Sequence, residues 1–169
     1  GFYNTLLESN DPALVIEPLK GYNQKEKMPK NIGEFKVPLG VPEIVKEGTD
    51  VTIVTYAWNV HHAVKTGSLL QKLKGISAEV IDVQTLLPFD VNHVILESIK
   101  KTNKVIFVDE DVPGGATAFM MQKVMEEQKA FNYLDTAPRT LSAKEHRPAY
   151  GIDGEYFSKP NVELIFRNI

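Results

Sequence analysis

The sequence predicts a three-layer α/β domain, and three observations carry that expectation. From Asp50 onward, strand-like and helix-like segments alternate. The strand-like segments are short, β-branched or apolar runs of the kind buried on both faces of a parallel sheet. Turn-forming residues punctuate the junctions. A β-α-β-α-β-α-β order of this kind argues for a mainly parallel sheet with helices on both faces.

The elements follow in order. The turn-like stretch Glu47–Asp50 precedes a β-branched run from Val51 to Tyr56, which reads as a buried strand. Val60, Ala63, Val64, Gly67, Leu70 and Leu73 then recur at helical spacing until Gly75 stops them. A second strand spans Ser77 to Val83. Asp90 is expected to cap a helix that carries Val91, Val94, Ile95 and Ile99 on one face. Lys104 to Val108 reads as a third strand, the most apolar of the set, and a Pro-Gly-Gly turn leads to a helix over 116–127. Pro138 to Ala143 is the fourth strand of the alternating series.

The first 45 residues follow a different pattern. Phe2 to Glu8 suits one or two helical turns, and Pro12 to Glu17 a single strand. The stretch from Gly21 to Gly33 is polar and Lys-rich, and the run Lys25, Glu26, Lys27 reads as a solvated linker. Val37 to Pro42 suits an edge strand, where proline is tolerated. Residues 1–36 are therefore expected to close a preceding domain and link it to a second one over 37–169. The Gly-Phe-Tyr start reads as a cut within a longer protein.

Composition narrows the chemistry. A formal net charge of −3 offers no basic stripe for phosphates, so nucleic acid is not an expected partner. With no cysteine, disulfides, thiolate catalysis and Cys-ligated metals are excluded, which fits a cytoplasmic address. No apolar run has the length of a membrane span.

The candidate sites are few. The loop from Val108 to Ala116 contains Gly114 and Gly115, but it follows neither the dinucleotide nor the phosphate-loop pattern, and its acids would repel phosphate. Its glycines read as a sharp turn that lets the following helix pack on the sheet. Asp109, Glu110 and Asp111 alternate in direction along an extended segment and do not converge on a metal. His61, His62, His93 and His146 read as helix-start or surface histidines. Phe119, Met120, Met121, Val124 and Met125 form a wide apolar stripe, with core packing as the default and a partner face as the alternative.

A series of segments resembles the beta subunits of thiamine-diphosphate-dependent 2-oxo acid dehydrogenases. LVIEPLKGY over 14–22 resembles the segment closing their pyrimidine-binding domain. FKVPLG over 35–40 and EGTDVTIVT over 47–55 resemble the segments that follow. ISAEVIDVQTLLPFD over 76–90 is similar to the family's ISAEVIDLRTLLPLD, which brings in Asp82, Thr85, Pro88 and Asp90. Glu110, Gly114 and Gly115 match its Glu and Gly-Gly positions, and Pro148 to Tyr150 its carboxy-terminal motif.

The resemblance implies a transketolase-type C-terminal domain: an αβα sandwich on a five-stranded, mostly parallel sheet with one antiparallel edge strand. It implies that thiamine diphosphate and Mg²⁺ serve the intact enzyme between its other two domains, with none expected on this chain. The activating carboxylate and the substrate-facing histidines would lie upstream, so no catalytic residue carries over. The implied role is assembly, with a second copy or an alpha/beta partner subunit and with the dihydrolipoyl acyltransferase core. Asp82, Thr85, Pro88, Asp90, Glu110, Gly114, Gly115 and Tyr150 are candidates for structural or interface roles. The first rival is the matching part of a transketolase or deoxyxylulose-phosphate synthase; another is a free-standing small-molecule-binding module. Gln84 stands where the family carries arginine, which puts a family salt bridge there in doubt. The turn-rich tail resembles the version with alpha and beta parts fused in one bacterial polypeptide.

Overall fold

A computed structural model describes residues 1–25, 27–151 and 153–169, opening with the short helix α1 (Phe2–Leu7). Five strands, β1 (Glu43–Lys46), β2 (Val51–Thr55), β3 (Ala78–Asp82), β4 (Val105–Val108) and β5 (Arg139–Leu141), form one sheet in the order β1-β3-β2-β4-β5. Strand β1 runs antiparallel to β3, with an irregular step between Ile44 and Lys46, and the other pairs are parallel. The expected mixed sheet with an antiparallel edge is thus present, but the edge strand is Glu43–Lys46, not the proline-containing run Val37 to Pro42.

The alternation of side chains along the strands builds two cores. Val54, Ile81, Val105 and Phe107 face α3 (Val94–Thr102) and α4 (Ala116–Gln122). Val51, Ile53, Val80, Ile106 and Val108 face α2 (Asn59–Lys74) and α6 (Val162–Asn168). Because both faces are covered, the central strands read as largely apolar runs, unbroken in β4, rather than as alternating ones. Helix α2 ends where Gly75 takes a left-handed φ of 70°, a conformation glycine adopts without a Cβ penalty.

Buried polar side chains link the sheet to α3. Thr52 Oγ1 lies 2.6 Å from Ser98 Oγ and 2.7 Å from Thr102 Oγ1. Glu79, fully buried in β3, accepts from the Gly48 amide at 3.2 Å and pairs with Lys101 on α3.

Several elements depart from the sequence expectation. Pro12 to Glu17 forms no strand, since no neighbouring strand supplies its hydrogen bonds. Helix α4 stops at Gln122 and continues as a wider π-type turn over Lys123–Glu127. The stripe on this segment is core: Met120, Val124 and Met125 are buried, with Phe119 and Met121 packed against the same cluster. The tail holds two helices, α5 (Gly154–Ser158) and α6, where turns were expected. Lys25 and Lys27 are exposed, as a solvated linker requires, and Glu26 lies outside the described residues.

Asp90 caps its helix from further upstream than expected. Helix α3 starts at Val94, leaving Val91 exposed in a turn and off the helical face. The Asp90 carboxylate still accepts from the Val94 and Ile95 amides, at 2.7 and 3.1 Å. Gln128 Nε2 donates to the same carboxylate at 3.0 Å. Asp90→Ala is therefore expected to cost about 1–2 kcal/mol, and Asp90→Asn much less. Equal urea midpoints for wild type and Asp90→Ala would contradict the cap.

Candidate functional site

The connections place a crevice at the carboxyl ends of β2 and β4. Strand β2 leads into α2 on one face of the sheet, and its neighbour β4 leads towards α4 on the other. Adjacent loops that diverge in this way open the position where parallel sheets receive ligands. Tyr56, Ala57 and Trp58 enter it from β2, and Ala57 holds a φ of 53°, uncommon for a residue with a Cβ. Asp109, Glu110 and Asp111 enter from β4. A cleft of about 210 Å³ lies here, lined by Trp58, His62, Glu110, Tyr156 and Lys159 among others.

The electrostatics are those of partly dehydrated acids beside lysines. Burial pushes the Asp109 carboxyl up, although the Tyr56 hydroxyl and the Glu110 amide favour its charged form. Asp109 Oδ1 accepts from the Glu110 amide at 2.7 Å, and its Oδ2 is buried without a partner among the described residues. Burial, and then the Asp109 charge, raise the Tyr56 phenol. Burial lowers the His62 imidazole, with Lys20 adding to the effect, and its Nδ1 is buried and without a partner among the described residues. Lys159 Nζ bridges Glu110 at 3.0 Å and Glu155 at 3.4 Å.

This donor set does not fit a diphosphate. The acids outweigh the cations, and Lys159 is already paired with glutamates. No group of three His, Asp or Glu side chains suited to a metal occurs among the described residues. Gly114 and Gly115 serve the turn: Gly114 has a φ of +89°, and a Cβ on Gly115 would run into the Asp111 carboxylate.

The loop over 82–91 gathers four further candidates into a clasp. Thr85 Oγ1 accepts from the Gly40 amide at 2.7 Å and donates to the Pro88 carbonyl at 2.8 Å. The Val91 amide donates back to the Gly40 carbonyl at 2.8 Å. Gly40 has a φ of +76°, and a Cβ there would lie 2.9 Å from Pro88 Cγ, so the close approach requires glycine. Leu87–Pro88 is a cis peptide bond. Asp82 Oδ1 accepts from the Gln84 amide at 3.0 Å. Gln84 Nε2 donates to Glu43 Oε2 at 2.8 Å, so an uncharged amide donor reaches the carboxylate of the edge strand where the resemblance left a salt bridge in doubt. Beside Asp90, a hollow of about 520 Å³ opens between Pro88, His93 and Gln128.

The structure thus sorts the sequence candidates. Asp82, Thr85, Pro88 and Asp90 belong to the clasp, and Glu110, Gly114 and Gly115 to the crevice loop. Tyr150 joins neither: it is exposed, with the Arg147 guanidinium 5.1 Å from its ring. His62 is half-buried and lines the crevice, whereas His61 and His146 are exposed, as expected of surface residues. His93 precedes its helix in a left-handed conformation and does not lie in the first turn. Sequence reasoning missed Trp58, Lys159 and Glu155, whose proximity depends on the fold of the tail.

Burial pushes the Asp82 carboxyl up to about 6; the Gln84 amide opposes the shift, and Glu43 adds to it. A folded-state value above the unfolded one of about 3.9 means that the proton stabilises the fold. That contribution is full below about pH 4 and is lost as the pH rises through 6. Asp82→Asn is expected to keep the amide contact and gain about 1–2 kcal/mol at pH 7, with little change at pH 4. Thermal melts at the two pH values check this, and an equal gain at both would count against it.

A family model described as the transketolase C-terminal domain matches residues 40–157. Pyruvate dehydrogenase E1 component subunit beta of Rhizobium meliloti is 31% identical over 163 residues, covering 96% of this chain and 34% of that protein. The mitochondrial counterpart from Saccharomyces cerevisiae is 35% identical over 172 residues, covering 100% of this chain and 46% of its own length. The beta subunit of acetoin:2,6-dichlorophenolindophenol oxidoreductase from Cupriavidus necator is 38% identical over 107 residues, covering 63% of this chain and 30% of that one. The chain therefore spans about a third to a half of these relatives. Among solved structures, a split-gene transketolase described as an inactive beta4 tetramer superposes with a TM-score of 0.64 at 22% identity, over 80% of this chain and 42% of that one.

Proposed function

This chain belongs to the transketolase C-terminal domain family, and from that membership we propose that it is the assembly domain in the beta part of a thiamine-diphosphate-dependent 2-oxo acid dehydrogenase. One observation carries the reading: the match to pyruvate dehydrogenase beta subunits runs along nearly the whole chain while spanning less than half of theirs. The intact enzyme would oxidatively decarboxylate a 2-oxo acid and pass the acyl group to a lipoyl carrier. Thiamine diphosphate and Mg²⁺ would be held by its other domains.

The surface of residues 1–36 supports an assembly role. Leu7, Leu14, Ile16 and Leu19 are each at least 80% exposed, a cost in water that contact with a neighbouring domain removes. These residues suit the end of a preceding domain, with the boundary near residue 36. The proposed partners are a second copy of the chain or an alpha part, and the acyltransferase core. The dehydrogenase-type relatives favour this reading over a transketolase.

Calorimetry with thiamine diphosphate and Mg²⁺ tests it. The 169-residue chain is expected to give no saturable heat. Micromolar binding, about −8 kcal/mol, would defeat the proposal.

A further inference from the structure

We propose that the crevice between β2 and β4 is an alkylammonium site, and that its resident occupant is the chain's own Lys20. The ammonium of Lys20 pairs with Glu155 of α5 and lies 5.9 Å from the centre of the Trp58 ring. A carboxylate and an aromatic face, from elements remote in sequence, thus meet on one cation. Lys20 sits in the single turn Leu19–Asn23 and lines the same cleft as His62 and Glu110.

The chemistry of the cleft selects a cationic donor. Glu110 and Glu155 present carboxylates, His62 keeps a buried ring nitrogen unpartnered among the described residues, and Trp58 offers a ring face. An anion would meet the carboxylates first. A primary ammonium on an aliphatic stem satisfies both the acids and the ring, and Lys20 supplies one. The position that other parallel sheets leave open for a ligand is therefore filled here from within the chain. Glu155 receives both Lys20 and Lys159, and Lys159 also holds Glu110. Lys20 thereby straps residues 1–36 to the tail and to the loop after β4. When the strap lifts, the site is vacated and takes a free alkylammonium.

Trp58 is the single tryptophan, so its fluorescence reports on this site alone. In the 169-residue chain, Lys20→Met is expected to raise acrylamide quenching of Trp58 above that of wild type, because it removes the ammonium held between Glu155 and the ring. Lys20→Arg should quench like wild type. Titration with n-butylammonium chloride should reverse the increase in Lys20→Met, and sodium chloride at equal ionic strength should not. Wild type should not respond to butylammonium. Glu155→Gln added to Lys20→Met should abolish the rescue. Unchanged quenching in Lys20→Met, or an equal butylammonium effect on wild type and Lys20→Met, would overturn the proposal.

Discussion

Lys101→Met is expected to destabilise the chain by about 3 kcal/mol, the low end of the cost of stranding a buried charge. Glu79 is fully buried, and its Oε1 has no partner among the described residues. Its charge therefore depends on Lys101, on Ser98 and on the Gly48 amide. Lys101 itself is partly solvated, with 39% of its side chain exposed, which places the cost at the lower end. Burial alone would raise the Glu79 carboxyl, but the Lys101 contact, aided by Ser98 and Gly48, outweighs burial and holds it below the usual value. The pair's contribution is thus present above the unfolded carboxylate value and lost as the pH falls through the depressed one. In Lys101→Met burial wins and the carboxyl rises, so that stability should fall as the pH rises from about 4 to 7. Denaturant titrations across that range distinguish the two slopes. Glu79→Gln should largely rescue Lys101→Met, because it removes the stranded charge and keeps the side-chain volume. Parallel slopes and no rescue would mean that water already stabilises the carboxylate.

Ile165→Ala is expected to cost about 2–5 kcal/mol, the range for truncating a fully buried aliphatic side chain. Ile165 is 0% exposed and packs with Ala63 and Leu70 of α2 and with Ile106 and Val108 of β4. Helix α6 is short, so its stability comes from this contact and from Asn161, whose side chain accepts the Leu164 amide at 2.9 Å. Losing Ile165 should free the tail and unpack one side of the crevice. Hydrogen exchange over 154–169 should rise well before exchange in β2 and β4. A shift in melting temperature below one degree would show that α6 contributes little to the core.

The alternating part of the fold was legible because both faces of its central strands are apolar. Val51 to Thr55 and Val105 to Val108 carry that signal in their own residues. Legibility ended where a structure depends on partners distant in the chain. Glu79 sits within a strand, where a carboxylate normally signals exposure, and its counter-charge lies 22 residues on, on the following helix. The Asp90 cap was visible as a residue type, but the intervening turn, with positive φ at Asp90 and His93, was not. Asn161 followed by Glu163 and an apolar run was a readable start signal for α6; the aromatic, turn-rich stretch before it obscured the helix. The clasp residues were found through the resemblance. Their hydrogen bonds to Gly40 bridge segments with no local pattern linking them.

The irregular step in β1 affects how this sheet behaves among its own kind. A naked outer strand is a template on which a stranger can extend the sheet, and Ile44 and Val45 offer it some apolar grip. Here that outer strand has only four residues, and its pairing register shifts between Ile44 and Lys46. An incoming strand would lose its alignment after one or two rungs, because a bulge twists the backbone away from a straight ladder. Regularising the step by deleting Val45 would lengthen the continuous docking track, and the expected penalty is loss of solubility on concentration rather than loss of the fold.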